Sequence, residues 1–186
     1  MTKQSWYIAG GVVVAVALAW LAFGSRGDGQ LAVDLLAPEQ FQNAQKRPSP
    51  ETFEIVDATI GGQEKRAIQV KESSRLVYAF TVPENAELRV SPALLENAWT
   101  VEGDGVLFRV LIEANSVQDE LLNLYLNPFA NSGERGWHDI VLDLSDYAGE
   151  NVQLFFNTNA SPPSLPQRDD SNGDFAVWGA PRVVSH

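Results

Sequence analysis

The chain of 186 residues contains no cysteine, two histidines, one methionine and 13 Lys and Arg against 24 Asp and Glu. The missing cysteines exclude disulfides, thiolate metal centres and thiol nucleophiles together. Scarce histidine leaves His138 and His186 as the sole imidazoles, too few for a His-rich metal site or a well-supported Ser-His-Asp arrangement. A formal net charge of −11 lacks the basic face that phosphate neutralisation needs, so nucleic acid is not an expected partner. No G-x-S-x-G elbow, P-loop or Gly-rich dinucleotide fingerprint occurs. Carboxylates are so numerous that a glycosidase-like pair carries no signal. The expectation is a protein that is not an enzyme.

What is present begins with an apolar run. Residues 6–23 (WYIAGGVVVAVALAWLAF) are uncharged. As a helix they would span roughly 27 Å at about 1.5 Å per residue, close to a bilayer's hydrocarbon thickness. Trp6, Tyr7 and Trp20 stand near its two ends, where aromatic side chains favour the interface. Lys3 precedes the run, and every Asp and Glu follows Arg26. A basic head with an acidic tail favours a single-pass anchor of the bacterial inner membrane, with a cytoplasmic amino terminus and a periplasmic or extracellular domain. The competing reading, a cleaved signal peptide ending near Ala22-Phe23-Gly24, suits this run less well because its apolar core exceeds the usual length. Ala9, Gly10, Ala15, Ala17, Ala19 and Ala22 supply small residues for close helix packing.

The expected organisation is a transmembrane anchor over residues 1–26, a juxtamembrane linker over 27–50 and a β-sandwich over 51–186. Within the linker, Pro38 and Glu39 signal a helical first turn. The strip Leu31, Leu35, Leu36 and Phe41 is a candidate contact with a neighbouring membrane subunit, the alternative being that it packs on its own domain. From residue 52 the apolar period becomes 2. Nine strands are expected, over 53–60, 66–70, 76–82, 86–91, 106–113, 121–127, 137–144, 152–158 and 175–184. Residues 106–112 are apolar on both parities, the mark of a strand covered on both faces. The predicted class is all-β, an antiparallel sandwich, with 92–97 and 146–149 as the only helical pieces in that domain.

The order of these strands carries a resemblance. Strand 76–83 ends in Val-Pro, then come Ala86-Glu87-Leu88-Arg89-Val90-Ser91-Pro92, Trp99 and Gly103-Asp104-Gly105. The block from Gly136-Trp137-His138-Asp139 to Asp143-Leu144-Ser145-Asp146-Tyr147-Ala148-Gly149 follows, and Trp178-Gly179-Ala180-Pro181-Arg182 closes the series. Over about residues 75–184 this resembles the galactose-binding-like jelly-roll domains found in carbohydrate-binding modules and envelope proteins. The resemblance implies a jelly-roll sandwich and names no ligand. Domains of that kind often hold a structural Ca²⁺, usually at other positions. Here Asp170, Asn172 and Asp174 alternate around Gly173 as hard oxygen donors, a candidate Ca²⁺ loop without the EF-hand's closing Glu. No other cofactor is expected. Trp99, Trp137 and Trp178 fit packing positions better than sugar-stacking ones.

Two functions follow. The first is a non-catalytic accessory subunit that caps the extracytoplasmic face of a membrane complex such as a photosynthetic or respiratory core. Its partners would be lipid and membrane subunits. The second is a membrane-anchored carbohydrate-binding module whose partner is an envelope glycan.

Overall fold

Alternation of apolar and polar residues gives each strand one face for a core and one for solvent. A computed structural model describes residues 29–159 and 175–186, and in it these strands assemble into two antiparallel sheets. The apolar run 6–23 and the loop bearing Asp170, Asn172 and Asp174 lie outside the described residues. Among the described residues no helix is long and apolar enough to cross a membrane.

The elements are β1 (Gln30–Asp34), α1 (Pro38–Asn43), β2 (Gln45–Arg47), β3 (Phe53–Ile60), β4 (Gln63–Val70), β5 (Ser74–Thr81), β6 (Ala86–Leu94), β7 (Val106–Ala114), β8 (Val117–Leu126), β9 (Ile140–Asp143), β10 (Asn151–Asn159) and β11 (Ala176–Ser185). One sheet runs β3-β4-β11-β6-β9, with β1 also on β11. The other runs β2-β5-β10-β7-β8. β11 serves two partners on one side: residues 176–179 pair with β4, and 182–185 with β1. A bulge between Gly179 and Arg182, where Ala180 takes φ 42°, separates the two halves.

The facing sides meet in one core. Trp178 lies edge-on to Phe108 and Phe156, with ring centroids 4.9 and 5.0 Å apart, and its Nε1 donates to Thr158 Oγ1 at 3.0 Å. Tyr78 packs edge-on to Phe156 at 5.9 Å. Such geometry suits the ring quadrupoles, and it satisfies the one polar atom of a fully buried tryptophan. In β7, Leu107 and Leu111 are buried along with Val106, Phe108, Val110 and Ile112, as the two-parity pattern predicts. The edge strand β2 is only three residues long, and the edge strand β8 carries Gln118-Asp119-Glu120 near its start, both features that discourage pairing with another chain.

The sandwich reaches further toward the amino terminus than its period-2 signal. Residues 30–47, expected as linker, contribute β1 to one sheet and β2 to the other. Residues 30–34 and 45–47 thus belong to the two sheets. Leu35 is 0% exposed and Leu36 is also buried, so both belong to the core. Phe41 packs against that core while Leu31 stays 55% exposed. Hydrogen bonds hold the segment there: Leu35 N–H donates to the Pro181 carbonyl of β11 at 3.3 Å, and the Leu35 carbonyl accepts from the Tyr78 hydroxyl of β5. The helical reading of 92–97 also gives way, because β6 continues to Leu94 and a single 3₁₀ turn follows at Glu96–Trp99.

Candidate functional site

Antiparallel register sets side chains from sequence-distant strands directly opposite one another. On the outer face of the five-stranded sheet, Arg47 of β2 stands opposite Arg75 of β5. Arg75 stands opposite Asn157 of β10, Asn157 opposite Arg109 of β7, and Arg109 opposite Asn123 of β8. Three guanidinium groups and two amides therefore form one row across all five strands. The neighbouring row is apolar: Val77, Phe155 and Leu111 cluster there at only 5%, 7% and 8% exposure, although the face points outward.

Polar contacts hold the row in shape. Arg75 Nε donates to Asn157 Oδ1 at 3.0 Å, with its guanidinium 5.8 Å from the Phe155 ring centre. Arg109 Nε donates to Glu120 Oε1, which also accepts from Asn123 Nδ2 at 3.1 Å. Above the row opens a shallow cleft of about 420 Å³ lined by Arg47, Arg75, Arg109, Asn157 and Asn159 together with Pro48, Ser73 and Ser74. Ser74 Oγ is buried there without a hydrogen-bond partner among the described residues. On the same face Asn159 opposes Leu107, and Leu107 opposes the exposed Tyr125, whose hydroxyl donates to the Asp104 carbonyl. At about 4.8 Å between strands, Tyr125 sits roughly 10 Å from the Asn159 end of the cleft.

The outer face of the other sheet is built differently. Trp137 Nε1 donates to the Gln63 carbonyl at 2.9 Å, and Lys65 lies over its ring at 5.5 Å. Lys65 also donates to Ser91 Oγ at 2.9 Å and pairs with Asp139, which accepts from Ser91 at 2.6 Å. Hydrogen bonds from Lys65 and Ser91 hold the Asp139 carboxyl below the usual carboxylate range. These groups satisfy one another, so the cluster works as a clamp. Trp99 lies under the Arg135 guanidinium at 5.7 Å.

Among the described residues, those singled out from sequence take different places. Leu35, Leu36 and Phe41 join the core, Leu31 stands apart on the surface, and Asp170, Asn172 and Asp174 fall outside the described residues. Among the described residues no three His, Asp or Glu side chains are grouped to hold a metal ion. His138 Nε2 lies 3.1 Å from the Glu134 carbonyl and His186 Nε2 lies 3.3 Å from Glu87. The arginine row was not signalled by spacing. The only hint in the sequence is an arginine in the polar slot of otherwise apolar strands, Arg75 and Arg109 above all.

No family model matches the chain. It is 38% identical over 118 residues to an uncharacterized protein of Archaeoglobus fulgidus, a match spanning 61% of this chain and 28% of that protein. Among solved structures, a carbohydrate-binding module, TmCBM61, in complex with β-1,4-galactotriose aligns over 83% of this chain and all of its own length, with 10% identity and a TM-score of 0.52. The M60 catalytic domain with two CBM51 domains from Clostridium perfringens ZmpB aligns over 76% of this chain and 13% of that one, with 13% identity and a TM-score of 0.49. The fold is therefore a two-sheet antiparallel β-sandwich like that of TmCBM61.

Proposed function

We propose that the chain is a non-catalytic carbohydrate-binding module that holds a glycan on the outer face of its five-stranded sheet. The observation that carries this reading is the cleft itself, where amide, hydroxyl and guanidinium groups converge. Saccharide hydroxyls take directed hydrogen bonds from groups of this kind. Tyr125 adds an exposed ring at one end. The likeness to a module solved with galactotriose supports the assignment at the level of fold. The accessory-subunit reading is weakened, because Leu35 and Leu36 are used in the protein's own core and are not offered to a neighbour.

Residues 6–23 would tether this module to the cell membrane and hold it on the extracytoplasmic side. A glycan array probed with the full chain tests the binding reading. Selective binding that weakens in Tyr125→Ala and Asn157→Ala supports it; absence of binding to every glycan ends it. Protease accessibility of the domain in intact cells tests the orientation.

A further inference from the structure

We infer that the cleft selects anionic saccharides, sugars carrying a carboxylate or a sulfate ester, and that Arg47, Arg75 and Arg109 make the selection. The inference rests on the glycan-binding reading and narrows it to a substrate class. Its first ground is charge distribution. The chain carries nearly twice as many acidic as basic residues, yet three of its 13 cations stand in a single row where, among the described residues, one carboxylate, Glu120, bonds to one of them, Arg109. Its second ground is the pairing of Arg47 with Arg75. Like charges directly opposite on one sheet face repel, and among the described residues no carboxylate bonds to either. An anion lying between them would turn that repulsion into two attractions.

The third ground is how the guanidinium groups are used. Arg75 and Arg109 each engage the protein through Nε alone among the described residues, one on Asn157 and one on Glu120. That single bond sets the plane of the fork and leaves both terminal nitrogens for an outside acceptor. A fixed fork is suited to bidentate capture of a planar carboxylate and less strictly to a sulfate ester. Asn157 and Asn159 remain alongside for sugar hydroxyls.

Calorimetric titration of the full chain with trigalacturonate, a sulfated galactan trisaccharide and neutral β-1,4-galactotriose tests the inference. The expected result is that one anionic sugar binds about tenfold or more tightly than the neutral one, and that added salt weakens it. Which of the two binds identifies carboxylate or sulfate as the group read. Arg75→Gln and Arg109→Gln should each remove most of that preference. Arg75→Lys, which keeps the charge and loses the fork, should fall between, and Arg135→Gln beside Trp99 should change nothing. Melting curves of each variant establish that it folds. Equal affinity for neutral and anionic sugars, or a preference that survives both glutamine variants, overturns the inference and leaves the glycan reading standing. Tight binding of a polyglutamate peptide in place of the sugars also overturns it. Failure of all three saccharides overturns the inference, and the glycan array then decides the glycan reading separately.

Discussion

The Tyr78 hydroxyl donates to the Leu35 backbone carbonyl at 2.9 Å, joining the centre of β5 to the segment that precedes α1. Both groups are buried, and 43 residues of chain separate them. Burial, aided by the nearby Asp34 charge, raises the Tyr78 phenol far above its usual range, so the hydroxyl stays a donor at any working pH. Tyr78→Phe would keep the ring's packing against Phe156 and strand the Leu35 carbonyl. Chemical denaturation should show a loss of about 1–3 kcal/mol, the cost of a buried unsatisfied acceptor.

The same segment separates two leucines four residues apart. Leu35 is fully buried and Leu31 is 55% exposed. Leu35→Ala should cost about 2–5 kcal/mol by opening a cavity against the core. Leu31→Ser should stay within about 0.5 kcal/mol. Comparable melting temperatures for the two variants would contradict the placement of the segment.

Much of this architecture is written in local pattern. All nine strands expected from period-2 runs occur, and β3 occupies residues 53–60 as read. Leu144 is buried while Ile140 and Leu142 pack against the same core, which follows directly from their shared parity. The two missed strands have a physical cause. β1 is mostly exposed and β2 is three residues long, so neither carries enough alternation to be seen, and each exists because a long partner, β11 or β5, supplies the pairing. The cleft was harder still. Arg47, Arg75, Arg109 and Asn157 each look like an ordinary solvated position within its own strand. Only the register of four strands brings them into one row, and register is not legible from any single segment.

Gly179 is the point where Trp137 closes onto β11. A Cβ there would stand 2.5 Å from Trp137 Cζ3 and 2.8 Å from the Ser91 carbonyl oxygen. Gly179→Ala should therefore destabilise by about 1–3 kcal/mol through overpacking. Adding Trp137→Ala should recover part of that loss, so the double variant falls short of the sum of the singles. Strict additivity in a denaturation cycle would show that the ring and the glycine do not press on each other.

Glu87 links stability to pH. Its carboxylate is buried on β6, with Arg89 Nε at 2.6 Å and His186 Nε2 at 3.3 Å. Burial alone would raise its pKa, but the hydrogen bonds and charges of Arg89 and His186 together outweigh burial and hold it below the ordinary glutamate range. The unfolded chain, with a Glu value of about 4.3, then takes up this proton more readily than the folded one. The group's contribution is complete above about pH 5 and is lost as the pH falls through its depressed folded value. Glu87→Gln removes the charge at all pH values, so it should be clearly less stable than the parent near neutrality. Below the folded value the parent's own carboxyl is neutral, and the gap between the two proteins should close. Urea midpoints for both, followed from about pH 7 to about pH 3, measure that gap with every other carboxylate common to the pair. A gap that stays constant across the range would mean that the Arg89 and His186 contacts do not favour the charged form.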